Sequence, residues 1–165
     1  MEKQKPTAFL ICGKIAAGKT TYADALCRQR NAVLLSCDEL MLTLFGPDAG
    51  ADHDRLADRV QTYLRAKSLD ILATGTDVIL DWGFWRREAR AEIRRFYEEL
   101  GIRVEMHCVE VTDAQWQQNV ARRNEAVLAG EVQAYYVDEG LAAKAASLFQ
   151  PPFPEEIDVW IHWET

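Results

Sequence analysis

The sequence predicts an α/β domain, a parallel sheet with helices on both of its faces. Three observations carry this. Apolar runs short enough for strands alternate with amphipathic stretches along the whole chain. The first strand candidate is a continuous apolar run, the pattern of a strand buried on both faces. A glycine-rich segment, GKIAAGKT at 13–20, stands between that run and a helical pattern. Strict alternation of strand and helix implies parallel strands joined by right-handed crossovers.

In chain order, residues 7–12 (TAFLIC) are the first strand, and a helix over 19–30 follows the glycine loop. Residues 32–36 (AVLLS) are the second strand. Ser36 and Glu39 have the spacing of a capping box, so Asp38 can also serve the start of a further helix. GPDAG at 46–50 breaks the chain. Leu56, Val60, Leu64 and Ile71 recur near helical spacing and predict a long amphipathic helix over 52–73. Residues 77–81 (DVILD) are the third strand, and 102–111 contain the fourth. Thr112 with Gln115 opens a helix running to about Ala129 and stopped by Gly130. Another helix spans roughly 136–149, ended by PPFP, and 157–163 (IDVWIHW) is the fifth strand.

With 165 residues, 48% of them hydrophobic, the chain can bury one core but not two, so 1–165 reads as a single domain. No apolar stretch approaches the roughly 20 residues that span a bilayer, and MEKQKPT carries no signal-like apolar region. A soluble, cytoplasmic monomer or homodimer without a membrane partner is expected. Cys12, Cys27, Cys37 and Cys108 form no CxxC pair and read as reduced thiols. A net charge of −7 weighs against a surface that tracks long nucleic acid, but is compatible with one small anionic ligand.

Gly13, Gly18, Lys19 and Thr20 satisfy G-x-x-x-x-G-K-[ST], with the strand before and the helix after that this phosphate loop requires. Glycines let the backbone approach phosphates, and free amides and the helix dipole attract them. The loop Gly13, Lys14, Ile15, Ala16, Ala17, Gly18, Lys19, Thr20 and Thr21 is therefore expected to bind ATP. Lys19 would reach the terminal phosphates, Thr20 would bind Mg2+, and the Lys14 side chain would point to solvent.

Asp38 and Asp81 both fall at strand C-termini, on the same edge as the loop. A phosphoryl transferase needs an acid for the metal and often another to deprotonate the attacking hydroxyl. Asp38 is favoured as base. Which aspartate assists the metal stays open: Asp38 is a candidate beside Thr20, and Asp81 can bind metal, bind substrate or cap the next helix. In WGFWRREAR at 82–90, Trp82, Phe84 and Trp85 can stack on a planar or sugar-like acceptor, or pack beneath a helix. Of Arg86, Arg87 and Arg90, at least one is expected to face phosphate or substrate; Asp81, Trp82 and Arg86 are the acceptor-side candidates. Arg122 and Arg123 lie in a lid region over about 113–135, where an arginine can neutralise the transferring phosphoryl or merely face solvent. His53, His107 and His162 show no ligand spacing.

GKIAAGKT, CDEL, DWGFWRREAR and ARRNE, in this order, resemble the small P-loop kinases related to polynucleotide kinase, chloramphenicol phosphotransferase and zeta toxin, over nearly the whole chain. The resemblance implies a three-layer P-loop NTPase fold with a five-stranded parallel sheet and a helical lid, ATP and Mg2+ at the loop, Asp38 as the base for hydroxyl phosphorylation, and Arg122 or Arg123 in the lid role. The triple-glycine substrate motif of shikimate kinases is missing, and DWGFWR echoes the DGFPR of adenylate kinases only with Trp82 inserted. No acceptor carries over. The expected function is ATP-dependent transfer to a hydroxyl of a small molecule. The alternatives are a nucleotide-binding regulatory module without transfer and a kinase for nucleic-acid 5′ ends.

Overall fold

Burial of all six residues of Thr7–Cys12 makes this run, β1, the central strand of the sheet. The computed structural model describes residues 5–163, so the reading of the first four residues lies outside the described ones. After β1 come α1 (Lys19–Arg30), β2 (Val33–Ser36), α2 (Cys37–Phe45), α3 (His53–Ala73), β3 (Val78–Gly83), α4 (Arg87–Glu99), β4 (Arg103–Glu110), α5 (Asp113–Leu128), α6 (Glu139–Leu148) and β5 (Val159–His162). The five strands are parallel throughout, in the order β2-β3-β1-β4-β5.

Strand alternation divides the core in two. Leu10, Leu80 and Met106 pack with Leu64, Ile93 and Tyr97 of α3 and α4 on one face. Phe9, Ile11 and Ile79 pack with Ala23 and Leu26 of α1 on the other. Each such Leu, Ile, Met or Phe side chain, fully buried, contributes about 1.5–3 kcal/mol. The uninterrupted apolar runs are thus explained by helices on both faces.

β2 and β5 are shorter than expected, and three further boundaries differ from the sequence expectation, each for a local reason. Asp77 stays outside β3 because its carboxylate accepts the Thr7 N–H at 2.7 Å and pairs with Arg30 at 3.3 Å. At its other end β3 continues to Gly83: Ile11 pairs with Asp81 but Cys12 with Gly83, so the inserted Trp82 is a bulge. The helix expected over 136–149 begins only at Glu139. Upstream, Asn124 clasps the backbone of Val137 through both its amide atoms (2.9 and 2.8 Å), and Arg123 donates to the Tyr135 carbonyl at 2.9 Å. Those bonds hold the segment extended, and Asp138 caps α6 by accepting the Leu141 N–H at 2.7 Å. The Thr112–Gln115 capping box opens α5 as expected.

Connections leave β1 toward one side of the sheet, to β2, and leave β3 toward the other, to β4. Because β1 and β3 are neighbours, a crevice opens beyond their C-terminal ends, the position where such sheets bind ligands. The glycine loop and residues 82–86 form its two walls. Among the described residues no helix is long and apolar enough to cross a membrane.

Two carboxylates anchor the C-terminal strand. Burial disfavours the charge on Glu156, but hydrogen bonds from Arg90 and the Phe153 N–H outweigh it and hold the group below its ordinary 4.5. Burial likewise opposes Asp158, and the Met106 N–H and Arg94 hold it below 3.8. Carboxyls depressed by folding contribute fully above their unfolded values and lose that contribution as pH falls through the folded ones. Thermal melts should therefore show Tm falling below about pH 4.5, more shallowly in Glu156→Gln. A Tm indifferent to Glu156→Gln across that window would refute the assignment.

Candidate active site

Glycine is required at both ends of the phosphate loop. Gly13 has φ of 151°, and a Cβ there would lie 2.6 Å from the Val109 carbonyl oxygen; Gly18 has φ of 92°, and its Cβ would lie 2.8 Å from Trp163 Nε1. Gly13→Ala is expected to destabilise the fold by about 1–3 kcal/mol, since both clash and left-handed strain act against it. Urea unfolding measures this.

Three loop carbonyls accept side-chain hydrogen bonds, two of them from α5. Trp116 Nε1 donates to Ile15 (2.8 Å), Asn119 Nδ2 to Ala16 (3.0 Å) and Lys19 Nζ to Lys14 (2.8 Å). Gly18 gives α1 no side-chain cap, so amides of its first turn remain available to an anion. This geometry fits a phosphate chain. The Lys14 side chain turns toward α5, 3.5 Å from Asp113 and over the Trp116 ring. Thr21 is exposed beyond the loop.

Asp81, 7% exposed, accepts a hydrogen bond from the Thr20 hydroxyl at 2.9 Å across 61 residues of sequence. Burial raises the pKa of Asp81, while Lys19 and Thr20 pull it back. Burial lowers that of Lys19, opposed by Asp81 and then Asp38. No cluster of three or more His, Cys, Asp or Glu side chains gathers among the described residues. The Thr20–Asp81 oxygen pair nevertheless fits Mg2+, which takes one or two protein ligands and completes its shell with phosphates and waters.

Asp38 sits exposed on the first turn of α2, behind the Ser36 hydroxyl that caps Glu39 N–H at 3.2 Å. Its charge acts on Lys19 and Asp81 and also on Arg123 of α5 and on Tyr135. Arg123, half-buried, is pushed below the ordinary arginine value by burial and supported by Asp38. Tyr135 is pushed up to about 12 by burial, then by Asp38. The structure thus gathers Lys19, Thr20, Asp81, Asp38 and Arg123 on one edge. Arg122 is exposed.

The aromatic and arginine loop separates into distinct roles. Trp82 donates its indole N–H to the Leu35 carbonyl at 3.2 Å and stacks on Phe84, leaving only ring surface for a ligand. Arg86 is exposed before α4. Arg87 lies over the Phe153 ring and donates to the Pro151 carbonyl. Arg90 is buried against Glu156. Residues missed in the sequence are Trp116 and Asn119, whose three-residue spacing on one helix face was a usable signal, and His53, which lies 3.3 Å from the Tyr135 hydroxyl.

The fold and this edge define a P-loop protein of the kinase type. A family model described as AAA domain matches residues 9–151, and the chain belongs to this family of P-loop kinases. Among solved structures, Kti12 of Chaetomium thermophilum in complex with ADP-AlF3 is 16% identical with a TM-score of 0.69, covering 95% of this chain and 89% of that one. APS kinase CysC of Mycobacterium tuberculosis in complex with AMPPNP and APS is 16% identical with a TM-score of 0.65, covering 96% and 88%. A chain of the Pnkp1/Rnl/Hen1 RNA repair complex is 16% identical with a TM-score of 0.68; the match takes in 87% of this chain and 43% of that longer one. No curated protein matches the sequence significantly.

Proposed function

We propose that this protein is a kinase that transfers the terminal phosphate of ATP to a hydroxyl group of a small-molecule acceptor. The observation that carries the reading is the placement of Asp38, whose charge acts on Lys19, Asp81 and Arg123 together. A lone phosphate loop needs no such carboxylate; a hydroxyl acceptor does.

In this reading the loop amides and Lys19 hold the phosphate oxygens. Thr20 and Asp81 would hold Mg2+, which when bound would supply positive charge to the phosphates. Asp38 orients the acceptor hydroxyl and takes its proton at a carboxylate oxygen. Arg123 remains protonated despite burial and offsets negative charge at the transferring group. Trp82 and Arg86 stand on the acceptor side. The net charge of −7 favours a small acceptor over a polynucleotide, despite the likeness to the RNA repair complex.

The test supplies ATP and Mg2+ with a panel of sugars, polyols, nucleosides, hydroxylated antibiotics and a 5′-hydroxyl oligonucleotide, reading ADP and confirming the product by mass. ADP formation dependent on one small acceptor class is expected. AMPPNP binding with no acceptor-dependent ADP would overturn transfer, and activity confined to the oligonucleotide would replace the small acceptor.

A further inference from the structure

Among the described residues one buried side-chain polar atom has no hydrogen-bond partner, the indole Nε1 of Trp85. Buried donors in native proteins are nearly always paired, because an unpaired one gives up its hydration for nothing. The chain also adopts a strained path to place this atom. Gly83 and Phe84 have φ of 78° and 45°, two left-handed residues in succession, and the second is not glycine. They fold the loop back so that the indole edge rests on Gly83, where a Cβ would lie 2.8 Å from Nε1. Strain of this kind persists where the surroundings enforce it, and it concentrates at ligand sites.

The surroundings do enforce it. Arg90 Nη1 donates to the carbonyls of Phe84 (2.9 Å) and Trp85 (3.2 Å), and the Gln150 N–H donates to Trp85 at 2.8 Å. The carbonyls of Gly83, Phe84 and Trp85 are all engaged, while the indole N–H of Trp85 is left unused.

Register fixes what lies beside that donor. Gly83 pairs with Cys12, and its carbonyl accepts the Gly13 N–H at 3.2 Å. The indole edge that rests on Gly83 is therefore held next to the start of the phosphate loop, at the end of the strand that carries Asp81. The opposite flank, Ile15 to Gly18, is covered by Trp116, Asn119 and Trp163. In the proposed reaction the transferring phosphoryl lies between the Thr20–Asp81 pair and Asp38, beyond the strand ends where Gly13 and Gly83 meet.

We propose that Trp85 is a nucleotide-binding residue that reads the terminal phosphoryl group, its Nε1–H donating to a γ-phosphoryl oxygen and so separating a nucleoside triphosphate from a diphosphate. This rests on the assignment of the loop to ATP. Nε1 has no exposed surface of its own, so a phosphoryl oxygen reaches it only when the ring turns; Trp85 as a whole is half-buried, not enclosed.

The test is calorimetric titration of the full chain and Trp85→Phe with AMPPNP and with ADP, each in Mg2+, alongside thermal melts without nucleotide. Loss of one hydrogen bond to a charged oxygen should weaken AMPPNP about tenfold or more, with ADP affinity within about twofold. The unliganded Tm should hold or rise, since an unpaired buried donor has been removed. Equal weakening of both nucleotides, or of neither, overturns the proposal, as does a clear fall in unliganded Tm without nucleotide discrimination. Should Trp85→Phe fail to fold, benzothienylalanine at position 85 keeps the ring shape without the N–H and carries the same expectations. Parent protein that binds neither nucleotide would reject the loop assignment itself, whereas binding of both with an indifferent variant would reject only the role of Trp85.

Discussion

Asp38→Asn should lower acceptor-dependent ADP formation by about 10²- to 10⁴-fold, the usual contribution of a general base, while AMPPNP affinity stays near the parent value. The substitution keeps size and hydrogen bonding but cannot accept the proton. Asp38 is exposed and lies at a capped helix start, so little stability is at stake. The two readouts separate base from ligand. A variant that transfers at the parent rate would remove Asp38 from the mechanism, and one that loses nucleotide binding would reassign it to the metal or phosphates. The same substitution at Asp81 is a different experiment, because Asp81 is buried and bonded to Thr20.

Arg90→Met should destabilise the protein by about 3–5 kcal/mol, the cost of breaking a buried pair by removing one partner. The Arg90 side chain is 1% exposed. It binds Glu156 through Nε at 2.9 Å and Nη2 at 3.4 Å, and two loop carbonyls through Nη1. Methionine fills the volume but leaves those carbonyls unpaired. Urea unfolding measures the loss; Glu156→Gln added to Arg90→Met should recover part of it, because the stranded carboxylate is gone. A loss below about 1 kcal/mol would show that water enters and replaces the guanidinium.

Arg90 also shows where sequence reasoning runs out. Its partner is 66 residues away, and nothing in WGFWRREAR distinguishes a buried arginine from one facing phosphate. The strands and the loop were legible because continuous apolar runs and the glycine spacing are local signals. Asp38 and Asp81 were legible because a strand end fixes a side chain's place in the sheet. The start of α6 was not, since apolar periodicity favoured helix over 136–149 while Asn124 and Arg123 hold Tyr135 and Val137 extended. That Arg123 is half-buried against Tyr135 while Arg122 is exposed depends on helix phase, which only tertiary packing supplies. Trp82 was visible as an insertion, but its meaning as a bulge required knowing which strand lies beside β3.

The side chains Trp116 and Asn119 tie the first turns of α5 to the loop, and Arg123 rides on the same helix. From Trp116 to Arg123 the rise is about 10 Å, a little under two turns. α5 is therefore a ruler as well as a cover: its length sets the span between loop and guanidinium, and its winding sets the compass bearing of that charge. Adding a single residue between Asn119 and Arg123 would swing the arginine about 100° around the axis, away from Asp38, without disturbing either anchor.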